Sequence, residues 1–145
     1  MGAGVASLAS IQSADWSLAL DSPGEPGSGL GNVVQGLDDV NQCIAIILST
    51  PPGSDPLRPT FACDLMRFID MPISFARAEI VREIAAAIAT WEPRVRVLSI
   101  TADVVLDSSV QSGARLNIAV TWQLLISGAS PNPQTTALTI PARLA

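Results

Sequence analysis

The chain has 145 residues, 48% hydrophobic and 14% charged, with a mean hydropathy of +0.40, which suits one packed domain rather than a disordered polymer. Its eight basic residues are all arginine against thirteen acids, a net charge of -5, and it has no lysine, histidine or tyrosine. These absences exclude a P-loop lysine, a Schiff base, a Ser-His or Cys-His pair and histidine-bound metal, and eight scattered arginines give no basic footprint for nucleic acid.

In chain order, Met1–Ser10 has neither a positive charge nor a long apolar run, so no secretory signal is expected there. Asp15–Leu20 alternates, with Trp16, Leu18 and Leu20 on one side, and predicts a short strand. Ser22–Gly29 is rich in proline and glycine and reads as a mobile connection. A first helix is expected from Asp38, its N-cap, with Val40, Cys43, Ile44, Ile47 and Leu48 as its apolar stripe. Pro51-Pro52-Gly53 stops it. After a loop, Phe61–Ile69 predicts a short irregular helix ended at Met71-Pro72.

A second long helix is expected with Ser74 as N-cap and Ile80, Val81, Ile84, Ile88 and Trp91 as its stripe. Arg77, Glu79, Arg82 and Glu83 then make its solvated face. Pro93 ends the helix and pushes Glu92 towards extended geometry. The period then changes to two. Val95–Val104 and Leu116–Ile126 predict strands joined as an antiparallel hairpin, with Asp107–Gly113 supplying the turn. A polar break, Ser127–Pro133, leads to a last short strand at Thr135–Ile140.

Helices first and strands after them predict an α+β fold: two main helices plus a short one packed on a small antiparallel sheet. Residues 1–36 form an N-terminal strand and flexible segment, and 37–145 form the main domain. The longest apolar runs, Cys43–Leu48 and Ile84–Ala89, fall far short of the ~20 residues that span a bilayer. A soluble chain made inside the cell is therefore expected. Cys43 and Cys63 then read as reduced and buried, and two cysteines without histidine make no zinc site. No metal or cofactor is expected.

Few residues offer chemistry. Gly27–Asn32 lacks the third small residue of a dinucleotide fingerprint, and its helix begins too late. Glu92 could act as an acid with Asp103 or Asp107, but no spacing selects a partner, and Trp16, Trp91 and Trp122 lie in apolar stripes that suit a core better than a sugar cleft. Glu92-Pro93-Arg94 stands out. Two residues apart in an extended segment, Glu92 and Arg94 point to one side, held by Pro93 at a helix-to-strand junction. Two readings stay open: a local cap that neutralises an acid at the negative end of the helix dipole, or a charged pair offered to another chain.

Leu37–Gly53, Leu57–Leu65, the alanine-rich helix ending Trp91-Glu92-Pro93-Arg94-Val95 and the strands after it resemble, in that order, the baseplate wedge or sheath-initiator family of contractile phage tails. That family includes phage protein W and the TssE subunit of type VI secretion systems. The Glu-Pro-Arg triplet is the most specific part, supported by the Thr-Pro-x-Gly helix end and the Arg-Pro-x-Phe segment. Ser54-Asp55 departs from the Gly-Glu-Arg-like run common there, and Ala62 stands where glycine is usual.

The resemblance implies a non-enzymatic structural protein of the virion baseplate, assembled in the bacterial host cytoplasm. Its partners would be wedge subunits, the contractile sheath protein and tail tube or hub proteins, with several copies in a six-fold ring. Neither nucleic acid nor membrane is among them. Glu92, Pro93, Arg94, Arg58 and Phe61 would contact partners, and a sheet edge would start the first sheath ring. The alternatives are a type VI secretion subunit of the same fold and a lysozyme-like peptidoglycan hydrolase, after a label some relatives carry. High hydropathy in a small chain and a sheet with an open edge fit an assembly role independently.

Overall fold

A computed structural model describes residues 6–7, 15–20, 32–68, 71–107, 113–125 and 133–143. The expected connection at Ser22–Gly29, the hairpin turn at 108–112 and the break at 126–132 lie outside these residues. The elements are β1 (Ala6–Ser7), β2 (Trp16–Leu18), β3 (Asn32–Gln35), α1 (Leu37–Ser49), α2 (Ile73–Trp91), β4 (Val95–Asp107), β5 (Gly113–Leu124) and β6 (Gln134–Arg143), with a 3-10 turn at Met66–Phe68. They form two compact units, Met1–Cys43 and Ile44–Ala145, and the boundary falls within α1.

The first unit holds a three-stranded antiparallel sheet in the order β1-β3-β2. β3 is missing from the sequence reading because four residues, Asn32–Gln35, carry too little alternation to register. Within β2 the expected alternation is present but inverted: Trp16, Leu18 and Leu20 face outward, Trp16 at 44% exposure. The cause is Gln42 of α1. Its amide nitrogen donates to Ser17 Oγ and Leu18 O, and its Oε1 accepts from Leu20 N–H, so the Ser17 side turns inward. Trp16 is therefore exposed, and not the core residue that its apolar stripe predicts. α1 begins one residue before Asp38, which lies in the first turn with Asp39 rather than capping it.

The second unit is a three-stranded antiparallel sheet in the order β4-β5-β6, with α2 packed on β4. Leu116, Ile118, Val120 and Trp122 of β5 are buried, Trp122 completely, and its indole N–H donates to Thr136 Oγ1 on the neighbouring strand β6. Ile80, Ile84 and Ile88 of α2 supply the opposing stripe, whereas Val81 and Trp91 are only half-buried at its margin. Pro72, not Ser74, occupies the N-cap position, and no side chain caps α2 there. Its solvated face is laced by exposed ion pairs: Glu79–Arg82, Arg67–Glu83 and Arg77–Asp103.

Two expected elements change extent. The helix predicted from Phe61 shrinks to Met66–Phe68, because Ala62 has φ +122°, in a region no right-handed helix includes. The last strand runs through Pro141 to Arg143 instead of stopping at Ile140. On an edge strand the missing proline N–H can face away from the neighbour, so proline does not end it. Both cysteines are free thiols, Cys43 half-buried and Cys63 buried. Among the described residues no helix is long and apolar enough to cross a membrane.

Candidate functional site

The expected site residues gather at the C-terminal end of α2. Proline at 93 denies the helix a further turn, so Glu92 becomes the C-cap, its own N–H still donating to Ile88 O at 2.8 Å and its φ opened to -129°. The chain then enters β4, and Arg94 O accepts from Leu125 N–H at 2.8 Å. This turn places Arg94 back over Glu92 as a fork: Nε donates to Oε1 at 2.6 Å and Nη2 to Oε2 at 2.7 Å. Both carboxylate oxygens are thus engaged by one planar group. Glu92 is only 3% exposed, and the Arg94 side chain 28%. Pro93 stands exposed between them.

Arg58 and Phe61 reach the same end of the helix through an aromatic chain. The Arg58 guanidinium lies 4.5 Å over the Phe61 ring, and Phe61 meets Trp91 edge-on at 5.2 Å and 72°. Trp91 directly precedes Glu92. Sequence reasoning had no place for Asp55 in this cluster, although its spacing of three from Arg58 was a usable signal. Asp55 Oδ2 accepts from Arg58 Nε at 2.9 Å, and Oδ1 accepts from Leu57 N–H, closing an Asx-type turn around Pro56. The Leu57 amide and then the Arg58 guanidinium hold the Asp55 carboxyl below its usual range. The loop base is closed by Gly53, whose φ of +78° lets its N–H reach Pro59 O.

A second feature lies at the other side of the sheet. A cleft of about 190 Å³ opens between Leu48 of α1 and Pro51 just after it, the segment Cys63, Leu65 and Met66, and Leu138 of β6. Its wall is mostly apolar. Cys63 is 2% exposed, and burial, reinforced by the negative charges of Glu83 and Asp64, pushes its thiol up to about 12. It is protonated and unreactive near neutral pH. Among the described residues no cluster of three or more acids and cysteines could hold a metal.

Against known proteins, the model of the family described as baseplate wedge protein gp25 matches residues 34–128. A solved Geobacter sulfurreducens chain, provisionally named a tail lysozyme, is 27% identical, with 74% of this chain and 90% of that chain covered and a TM-score of 0.55. A chain of the anti-feeding prophage baseplate has the same fold at 20% identity, with 72% and 80% covered and a TM-score of 0.55. So does a chain of the type VI secretion baseplate complex, at 11% identity, with 74% and 94% covered and a TM-score of 0.56. None of the curated proteins matches in sequence.

Proposed function

This chain belongs to the baseplate wedge protein gp25 family, and from that premise we propose that it joins wedge subunits to the first ring of a contractile sheath. It is a structural baseplate protein of a contractile tail or tail-like particle, and other baseplate subunits are its partners. In this reading residues 37–145 act as the wedge domain, and the sheath docks by adding a strand to the open side of the β4-β5-β6 sheet. The sheath protein, the tube or hub contacts and the six-fold copy number belong to the same proposal, as does assembly in the host cytoplasm before incorporation in the virion.

One observation supports the docking mode: among the described residues β6 is the terminal strand of its sheet, with β5 along one side and no strand along the other. The junction contributes orientation. Glu92 and Arg94 neutralise each other and fix where β4 leaves α2, while Pro93, Arg58 and Phe61 form the more exposed rim that a wedge subunit meets. The hydrolase alternative has little support in Glu92, because Arg94 binds both oxygens and neither is presented to a sugar.

Co-purification with the products of neighbouring genes tests the assignment. Wild-type protein is expected to bring down baseplate subunits, whereas Arg94→Lys, which keeps the charge but loses the fork, is expected to weaken that capture. Undiminished capture and normal particles with Arg94→Lys would remove the triplet from the interface. Sheath and tube genes beside capsid genes indicate a phage, and beside secretion-membrane genes the type VI alternative.

A further inference from the structure

The charge of the chain is divided unevenly between its two units. Residues 1–43 hold five acids, Asp15, Asp21, Glu25, Asp38 and Asp39, and no arginine. Residues 44–145 hold the other eight acids and all eight arginines, so the entire net charge of -5 comes from the first unit. A unit whose side chains carry one sign of charge attracts partners of the opposite sign and repels its like.

The same unit shows water a row of large apolar side chains. Trp16 and Leu18 of β2 and Leu20 just after it alternate to one side and are 44%, 52% and 64% exposed. At the rise of an extended chain the row is about 13 Å long. Leu18 stands opposite Val33 on the middle strand, and cross-strand partners share a face. Val33 is fully buried, so the row is the exposed border of an apolar patch rather than three isolated side chains. It precedes residues 34–128, the stretch that matches the family.

The margin of β2 beside this row is closed. Ala19 N–H donates to Asn32 O, so the backbone groups of Leu18 and Leu20 point away from β3. The Gln42 side chain takes both: Nε2 donates to Leu18 O at 2.8 Å, and Oε1 accepts from Leu20 N–H at 2.9 Å. A further bond from Nε2 to Ser17 Oγ fixes the amide. No strand can be added where a side chain already fills the bonds, so a partner meets the row face-on. A helix is the usual cover for the face of a small sheet.

Charge then selects the occupant. Nucleic acid and an anionic lipid surface carry the sign that this unit repels. A second copy would set five acids against five. A basic amphipathic helix has the opposite sign. Its apolar stripe matches the row, and its arginine or lysine heads can lie over the ring of Trp16.

Going beyond the sheath and wedge contacts proposed above, we infer that the outward row Trp16, Leu18 and Leu20 of the acidic first unit docks a basic amphipathic helix of another protein.

The test is calorimetry on the full chain with a synthetic amphipathic helix of about 18 residues, leucine on one face and arginine on the other. The wild type is expected to bind this peptide ~100-fold or more tightly than one with glutamate at every arginine position. Leu18→Ser with Leu20→Ser, at side chains already half exposed, should weaken binding about thirtyfold. Raising the salt from about 50 to 500 mM should weaken it about tenfold. If the double variant fails to fold, spectra of the wild type decide. On adding the arginine peptide, the Trp16 indole and the Leu18 and Leu20 amides should shift, and the fully buried Trp122 indole should not. Equal binding of the glutamate peptide, undiminished binding by the double variant, or shifts confined to other residues overturns the inference. Tighter binding to phosphatidylcholine vesicles than to the arginine peptide, or a dimer that the double variant abolishes, assigns the face to lipid or to a second copy and overturns it too.

Discussion

The helix junction at Glu92 and the margin of β6 belong to the same unit of the chain and differ in how their polar groups are satisfied. At the junction a nearly buried carboxylate spends both oxygens on one guanidinium, and an aromatic stack from Arg58 to Trp91 braces the turn. At the margin, among the described residues, a run of backbone groups has no strand beside it, next to an apolar cleft. A charged motif that stands out in sequence is thus largely self-contained. The unremarkable Thr-Thr-Ala-Leu-Thr segment lies in the terminal strand of its sheet.

Removing the guanidinium tests this contrast most severely. Arg94→Ala leaves Glu92 buried without its fork and is expected to cost about 3–5 kcal/mol in urea unfolding. Replacing both partners, Glu92→Leu with Arg94→Met, is expected to cost far less. An unchanged midpoint for the single variant would mean that the junction is not held by the pair.

The cleft wall should announce itself at alkaline pH. The Cys63 thiol has an ordinary value of 9.0 and stands at about 12 in the folded chain. Its contribution is complete below pH 9, where both states are protonated. It is lost as pH rises towards 12, because only the unfolded chain releases the proton. The expected fall is about 1.4 kcal/mol per pH unit across that interval. With no lysine or tyrosine in the chain to titrate there, Cys63→Ala should remove most of the slope, as read by denaturation at stepped pH.

Smaller effects refine the picture. Ala62→Gly should stabilise by about 1–2 kcal/mol, because φ +122° strains any residue with a Cβ and glycine returns only part of the gain as chain entropy. Thermal melts would show a higher midpoint. Phe61→Leu, which keeps bulk but loses the edge-on contact with Trp91, should cost about 0.5–1.5 kcal/mol. A double-mutant cycle with Trp91→Leu isolates that contact.

Much of the fold was legible in the sequence because period and punctuation agree. The α2 stripe, the stop at Pro93 and the alternation of β5 each match what the structure contains. The Glu92–Arg94 fork followed from their spacing. The readings that failed did so where tertiary contacts overrule local pattern. Nothing local to Trp16 reveals that Gln42, twenty-five residues beyond Ser17, will turn β2 over. A positive φ at Ala62 breaks a segment whose composition permits a helix, although the resemblance to a family with glycine there was a clue. Pro141 reads as a strand terminator until the strand is known to lie at an edge. The cleft was invisible for the same reason, since its walls come from α1, the Cys63 segment and β6.

The buried bond from Trp122 Nε1–H to Thr136 Oγ1 has a mechanical side. It rivets the outermost strand to the middle one from beneath, in addition to the ladder of amides. Tension along β6 would load those links in shear, all at once, rather than peel them one by one. The outermost strand thus gains resistance to being pulled from its sheet from an indole buried completely beneath it.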